Sequence, residues 1–227
     1  RFRLTGSVFG TYFLVDNADR SSDESDLSDD VLEPALTARQ PARRVLAHEL
    51  HASTQTFQES DDERAPVFGV SPMGAALNRV LIVGTLTEVR DVGSDSEYWQ
   101  GRVYAGSEPV FVYAGQYQPD AMDALRNAET PSYVAVVGKH RAYETGDRTN
   151  VALEPERIVP VDAETRDRWV VRTAEQTLER VAIAADAFER PERGADLEAA
   201  LLERGVPEGL AAGVPLAIEH YGTTRAY

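Results

Sequence analysis

The order of β-rich and helical segments predicts a five-stranded β-barrel followed by one long helix and a small C-terminal helical module. Three observations carry this. Five β-branched, alternating segments with a single helical interruption lie within about 85 residues. Apolar residues then recur at helical spacing across residues 170–188, and two shorter apolar segments bounded by Gly and Pro close the chain.

The first strand is residues 79–89 (RVLIVGTLTEV), rich in β-branched side chains with one glycine. Residues 98–104 and 109–113 are two short strands joined by the turn Ala105-Gly106-Ser107-Glu108. Residues 118–128 (QPDAMDALRNA) break the β pattern: Pro119 suits a first helical turn, Asp120 the positive helix end, and Met122 and Leu125 share a face. Residues 132–143 return to strand and 150–161 supply the last one. Strand, strand, strand, helix, strand, strand is the topology of the five-stranded oligonucleotide-binding (OB) barrel, although other small all-β domains share much of that order.

Asp162 is placed to cap the long helix, with Glu164 in the favourable first turn. Val170, Ala174, Leu178, Val181, Ala185 and Phe188 form one apolar stripe, ended by Pro191 and Gly194. Its first half (Val170, Ala174, Leu178) is expected to pack on the barrel, and Ala185 and Phe188 to meet the C-terminal helices or a partner. Leu178, Val181, Ala185 and Phe188 are the expected partner interface. Shorter helices are expected over 196–204 and 208–221, the second bent or late-starting because of Gly213 and Pro215. Leu197, Leu201, Leu210, Leu216 and Ile218 are expected to form a small helical module for protein contact. Upstream, residues 41–50 read as a short helix with Val45, Leu46 and Leu50 on one side. Residues 16–33 are dense in Asp, Ser and Glu and cannot offset their ordering entropy, and 58–64 are again polar and acidic. The resulting division is a disordered acidic extension (1–41), an OB-fold domain (42–161), a long helix (162–190) and a helical module (191–227).

Acidic residues number 38 against 23 basic ones, for a net charge of -15. Lys139 is the only lysine, so 22 of the basic residues are arginines. Such a balance opposes phosphate binding at ordinary salt. At about 1 M salt the Debye length is only about 3 Å and the long-range repulsion nearly vanishes. An acidic, lysine-poor, cysteine-free chain therefore points to a high-salt cytoplasm; ordinary acidic solubility from a GC-rich genome is the other reading. Without cysteine, disulfides and thiolate metal sites are excluded. No segment reaches the roughly 20 apolar residues of a membrane span, and the opening run 2–15 lacks a signal-peptide cleavage site. The start at Arg1 rather than Met suggests a fragment boundary or an upstream extension.

Catalytic motifs are not found. His48, Glu49 and His51 stand close, but the zinc-protease pattern needs histidines four apart and a third ligand. His140 and His220 are isolated, and no phosphate-binding loop, nucleophile elbow or dinucleotide fingerprint is present. Asp61, Asp62 and Glu63 read as a solvated acidic loop. A non-enzymatic protein without metal or cofactor is expected.

Five segments resemble the replication protein A (RPA)-associated proteins of halophilic archaea: 59–66 (ESDDERAP), 78–89 (NRVLIVGTLTEV), 112–121 (VYAGQYQPDA), 133–139 (YVAVVGK) and 162–181 (DAETRDRWVVRTAEQTLERV). The resemblance covers roughly residues 42–188 and weakens through 221. In that family the turn between the second and third strands reads Asp-x-Thr-Gly, whereas here it is Ala-Gly-Ser-Glu-Pro. The resemblance implies an OB-fold protein that associates with an RPA subunit and acts in DNA replication and repair, in the cytoplasm at the nucleoid. Its partners would be single-stranded DNA and an RPA subunit.

Bases stack on aromatic rings while cations track the phosphates, and stacking survives high salt better than ion pairing. If Val110 and Val112 point inward, Phe111 and Tyr113 point outward; Val103 inward puts Arg102 and Tyr104 outward. These four form the expected nucleic-acid-binding patch, extended by Lys139, Arg141 and Tyr143 on one phase of the fourth strand. The same aromatics also fit packing beneath the long helix or against the RPA subunit, and the sequence leaves the three open. Trp99 falls on the inward phase and reads as core, and Trp169 is expected to dock the long helix on the barrel. The alternative function is an adaptor that assembles RPA or recruits repair proteins with little DNA contact.

Overall fold

The computed structural model describes residues 41–58 and 65–222. The expected disordered extension and the 59–64 loop lie outside the described residues, apart from Pro41 at the extension's end. In chain order the elements are β1 (Arg43–Arg44), α1 (Ala47–Ala52), β2 (Gln55–Gln58), β3 (Val67–Val70), β4 (Ala76–Leu77), β5 (Arg79–Asp91), β6 (Trp99–Tyr104), β7 (Pro109–Ala114), α2 (Pro119–Arg126), β8 (Ser132–Thr145), β9 (Arg148–Pro160), α3 (Ala163–Phe188), α4 (Gly194–Glu203) and α5 (Glu208–Tyr221). Among the described residues, no helix is long and apolar enough to cross a membrane.

Strand β5 is the hinge of the barrel. Residues 79–86 pair antiparallel with β8, and residues 85–91 pair antiparallel with β6, across a bulge between Leu86 and Glu88. The sheet runs β5-β6-β7-β9-β8 and returns to β5, with the β7–β9 pairing parallel. That is the closed five-stranded OB barrel expected from the sequence. Gly84 stands where β5 turns from one partner to the other. A Cβ there would lie 2.1 Å from the Tyr104 carbonyl oxygen, so only glycine allows the approach.

The inward phase of each strand fills the interior: Val80, Ile82 and Leu86 on β5, Val103 on β6, Val110 and Val112 on β7 are fully buried. Helix α2 adds Ala121 and Leu125 to this core, and α1 with the residues before it adds Val45, Ala47 and Leu50. The N-terminal helix expected over 41–50 is instead a two-residue strand running parallel to the start of β5, followed by α1. Leu46 is still extended and precedes the first helical turn, because Arg43 and Arg44 satisfy their backbone groups on β5. The small antiparallel sheet β2-β3-β4 was not anticipated. Its strands are too short for alternation to show, and its pairing is marked chiefly by Phe57 stacked on Phe68 across β2 and β3, with centroids 5.3 Å apart.

Helix α3 begins as expected, with the Asp162 carboxylate accepting a hydrogen bond from the Thr165 amide at 2.7 Å. Its buried line, however, is Trp169, Thr173, Arg180 and Ala187. The expectation that Val170, Ala174 and Leu178 pack on the barrel is corrected: Val170 and Leu178 are exposed, Leu178 at 69%, and Ala174 is half-buried. One residue is 100° of rotation, so a polar side chain that finds a buried partner can turn the helix away from its most apolar stripe. Arg180 does so here by entering a buried ion pair with Glu49 of α1, and Thr173 tolerates burial because its hydroxyl returns to the Trp169 carbonyl of the same helix at 2.7 Å. Trp169 does dock α3 on the barrel core as expected, while Trp99 is only half-buried at its margin.

The C-terminal module has its own apolar cluster. Leu197, Leu201 and Leu210 are its buried centre with Ile218 packed against it, and Leu216 is half-buried outside it. Ala187 and Ile183 join it from α3, whereas Ala185 and Phe188, expected to meet these helices or a partner, are not part of the cluster. Helix α5 runs through Pro215 without an early break. Its Tyr221 hydroxyl donates to the Val70 carbonyl at 2.7 Å, tying the module to the small sheet.

Arg180 donates from Nε to Glu49 Oε1 at 3.0 Å and from Nη2 to Glu49 Oε2, joining α3 to α1 with side chains 11% and 2% exposed. Breaking a buried pair strands the surviving charge. Glu49→Gln or Arg180→Met is expected to cost about 3–5 kcal/mol in denaturant unfolding, and the double variant Glu49→Leu with Arg180→Met to recover most of it. Equal losses in single and double variants would contradict this account.

His140 is buried over Gly69, where an added Cβ would meet the ring at 2.5 Å. Its Nε2–H donates to the Ser53 carbonyl at 2.9 Å, leaving Nδ1 buried with no hydrogen-bond partner among the described residues. Burial pushes the imidazole below its usual range, with the Ser53 bond opposing. As pH falls, the unfolded chain takes the proton first, near pH ~6.5, so His140 contributes stability above that value that is lost below it. Unfolding free energy in molar KCl is expected to drop between about pH 7 and pH 5, and to drop less steeply in His140→Gln. An unchanged slope in the variant would contradict the assignment.

Candidate nucleic-acid interface

Alternation along β6 and β7 turns one set of side chains out of the barrel. The cross-strand pairs on that face are Gln100 with Tyr113, Arg102 with Phe111, and Tyr104 with Pro109. Successive rungs are about 7 Å apart along the strands, so the face is a line of rings and polar groups running the length of the hairpin. Arg102, Tyr104, Phe111 and Tyr113 are all half-buried on it.

The end nearest the β6–β7 turn is already engaged within the protein. The Arg102 guanidinium lies 5.1 Å from the Tyr104 ring centroid, donates from Nη2 to the Tyr104 hydroxyl at 2.8 Å, and sits 3.9 Å from Glu88. The other end is open. Tyr98, just before β6, stacks on Tyr113 with centroids 5.8 Å apart and planes at 17°. The Gln100 amide donates to the Tyr113 hydroxyl at 2.5 Å and accepts from Arg90 Nε at 2.6 Å, which holds Tyr113 in place. From the β8–β9 hairpin, Tyr143 comes up beside Tyr113 and lines the same recess. Burial pushes the Tyr98 and Tyr143 hydroxyls above the usual phenol range; for Tyr98 the Glu154 charge adds to this and Arg141 opposes it. Both phenols are therefore neutral at ordinary pH.

Tyr98, Tyr113, Tyr143, Arg141 and Glu154 line a recess of about 350 Å³ between the β6–β7 face and the β8–β9 hairpin. Arg141 is exposed and makes no hydrogen bond or ion pair with a described residue, whereas Glu154 accepts from Gln118 Nε2 at 2.6 Å. The structure thus brings Tyr113, Arg141 and Tyr143 of the expected set together. Arg102, Tyr104 and Phe111 lie farther along the same face, and Lys139 is exposed outside the recess. Sequence reasoning missed Tyr98, Gln100 and Glu154. The first two share the outward phase of Arg102 and Tyr104 and follow from carrying that alternation back two and four residues. Glu154 reaches the site only through the pairing of β9 with β8, where it opposes Lys139, and no local signal announces that.

Of the expected partner residues, only Leu178 and Ala185 lie on the side of α3 away from its buried line, and Val181 and Phe188 flank that line. Leu178 and Ala185 are exposed, and Val181 and Phe188 half-buried. Val171, at 57% exposure, extends the same apolar strip. The His48, Glu49, His51 group does not converge: Glu49 is held by Arg180, His51 Nε2 is 2.9 Å from the Pro109 carbonyl, and His48 is exposed near Glu108. Among the described residues no cluster of His, Asp or Glu is arranged to hold a metal ion.

No family model matches the chain. None of the curated proteins matches it either. Among solved structures, it is similar to a chain of a replication protein A heterotrimer bound to ssDNA, at 13% identity over 62% of this chain and 98% of that one, with a TM-score of 0.43. It is also similar to the second single-stranded DNA-binding protein of Mycobacterium smegmatis, at 20% identity over 37% of this chain and 86% of that one, with a TM-score of 0.32. The N-terminal domain of PriB from Thermoanaerobacter tencongensis aligns at 17% identity over 37% of this chain and 97% of that one, with a TM-score of 0.28. At this level of similarity the barrel assignment rests on the strand pairing described above.

Proposed function

We propose that the chain binds single-stranded DNA across the outer face of β6 and β7, as a non-enzymatic accessory subunit of an RPA complex in DNA replication and repair. The observation that carries the reading is the Tyr98–Tyr113–Tyr143 cluster, an open aromatic platform beside the unpaired cation Arg141. Rings left accessible on a barrel's outer face forgo burial that the core would reward, and a planar base restores it. The chain's net charge of -15 argues for the same division of labour. Phosphate contacts alone do not sustain useful affinity in molar salt, whereas stacking is little affected by screening. The high-salt cytoplasm and the RPA partnership come from the composition and from the resemblance of the quoted segments, and the proposal includes both.

A second reading has its own support. The apolar strip on α3, with Leu178 at 69% exposure, suits an adaptor whose helix docks on an RPA subunit while the barrel makes little contact with DNA. Under this reading Leu178, Val181, Ala185 and Phe188 are the docking residues.

Fluorescent oligonucleotides titrated in 2–3 M KCl, with and without the RPA subunit, separate the two, with circular dichroism confirming the fold throughout. The DNA-binding reading expects a shallow salt slope, far from the roughly 0.7 per contacted phosphate of ion-pair binding. Replacing Tyr104, Phe111 or Tyr113 by Ala is expected to weaken binding by about 1–3 kcal/mol each, most at Tyr113 because Tyr98 stacks on it and the recess is built around both. Arg102, Lys139 and Arg141 are expected to cost less. If the folded triple aromatic variant keeps wild-type affinity in the assembled complex, while Leu178→Asp abolishes assembly, the adaptor reading holds.

A further inference from the structure

The recess beside Tyr98 and Tyr113 contains a carboxylate that phosphate binding does not explain. Glu154 is half-buried, one of its oxygens accepts from Gln118, and its charge and that of Arg141 both act on the Tyr98 hydroxyl. On a surface meant only for the sugar–phosphate backbone, a carboxylate is a repulsive defect. In a pocket meant for a base edge it is an acceptor, and an ionised carboxylate offers about four lone-pair sites, so the bond from Gln118 leaves capacity on both oxygens.

The four bases differ in what they offer such a group. Adenine and cytosine each present an amino donor beside a ring-nitrogen acceptor, and thymine presents one N–H between two carbonyls. Guanine alone presents two adjacent donors, N1–H and N2–H₂, matched to the two oxygens of a carboxylate, next to an O6 acceptor. Arg141 supplies donors for O6 or N7. It sits on β8 opposite Ala152, two residues along β9 from Glu154. The recess, at about 350 Å³, is roomy enough for a purine, with stacked tyrosine rings on one side and the Tyr143 hydroxyl on the hairpin side.

We infer that this recess is a guanine-selective base pocket within an otherwise sequence-tolerant stacking face, with Glu154 reading the Watson–Crick edge and Arg141 the O6 side. The inference rests on the proposed single-stranded DNA binding. It makes the protein favour strands in which an unpaired guanine is within reach of the pocket, while neighbouring rungs accept any base.

The test compares four 15-mers of dT in which the central residue is dT, dG, dA or dC, titrated against the full chain in molar KCl. A single guanine is expected to tighten binding by roughly 5- to 100-fold over dT, the range of a bidentate base contact, with dA and dC near dT. The decisive readout is the dG-to-dT affinity ratio in Glu154→Gln, which keeps an acceptor for Gln118 but places an amide donor where the carboxylate accepted. That ratio is expected to collapse towards one, and to fall in Arg141→Gln as well. Four equal affinities for the wild type, or a dG preference that survives Glu154→Gln, would overturn the guanine pocket and leave the stacking face standing. No binding to any of the four by folded protein, alone or with the RPA subunit, would overturn both.

Discussion

Strand β5 serves two partners in succession, β8 along its first half and β6 along its second, and the rest of the molecule depends on that double use. Closure removes the exposed strand edges that an open five-stranded sheet would present. It also locks the phase of every strand: a one-residue slip would turn Val103, Val110 and Val112 to solvent and bring Arg102 and Phe111 inside. Gly84 permits the turn because its missing Cβ lets the Tyr104 carbonyl pass at close range. The same closure therefore fills the core and aims a row of rings outward.

Elements outside the barrel are held by polar contacts buried among apolar ones. The Glu49–Arg180 pair joins α1 to α3, His140 joins β8 to Ser53 after α1, and Tyr221 joins α5 to β3. Each is an interaction in which removing one partner is more damaging than replacing both. The arginine pair has a further consequence. By drawing the 180 position inward it rotates the apolar strip at Val171, Leu178 and Ala185 towards solvent, where it is accessible to another chain.

The barrel strands, α2 and the start of α3 were legible because period-two alternation, Pro119 and the Asp162 cap are local signals. The inward and outward phases of β6 and β7 were legible for the same reason, which is why Arg102, Tyr104, Phe111 and Tyr113 lie on one face as expected. Features set by long-range partners were not legible. The rotation of α3 is decided by Glu49, 131 residues away in sequence. Glu154 enters the recess through the β8–β9 register, and the β2-β3-β4 sheet is made of strands too short to show a period. An apolar stripe read without its polar competitors gave the wrong face of the long helix.

Under the proposed function, a chain of net charge -15 that is to hold an anionic polymer needs an attraction that salt does not screen, and base stacking on the tyrosines would supply one. The most direct measurement is the aromatic NMR spectrum in molar KCl during titration with a dT oligomer. Stacking places each ring under the current of a base, so the ring protons of Tyr98, Tyr113 and Tyr143 are expected to shift upfield together and saturate with one affinity. Those of Tyr221, tied to Val70 on the small sheet, should stay in place. DNA binding with those three tyrosines unmoved would contradict the account.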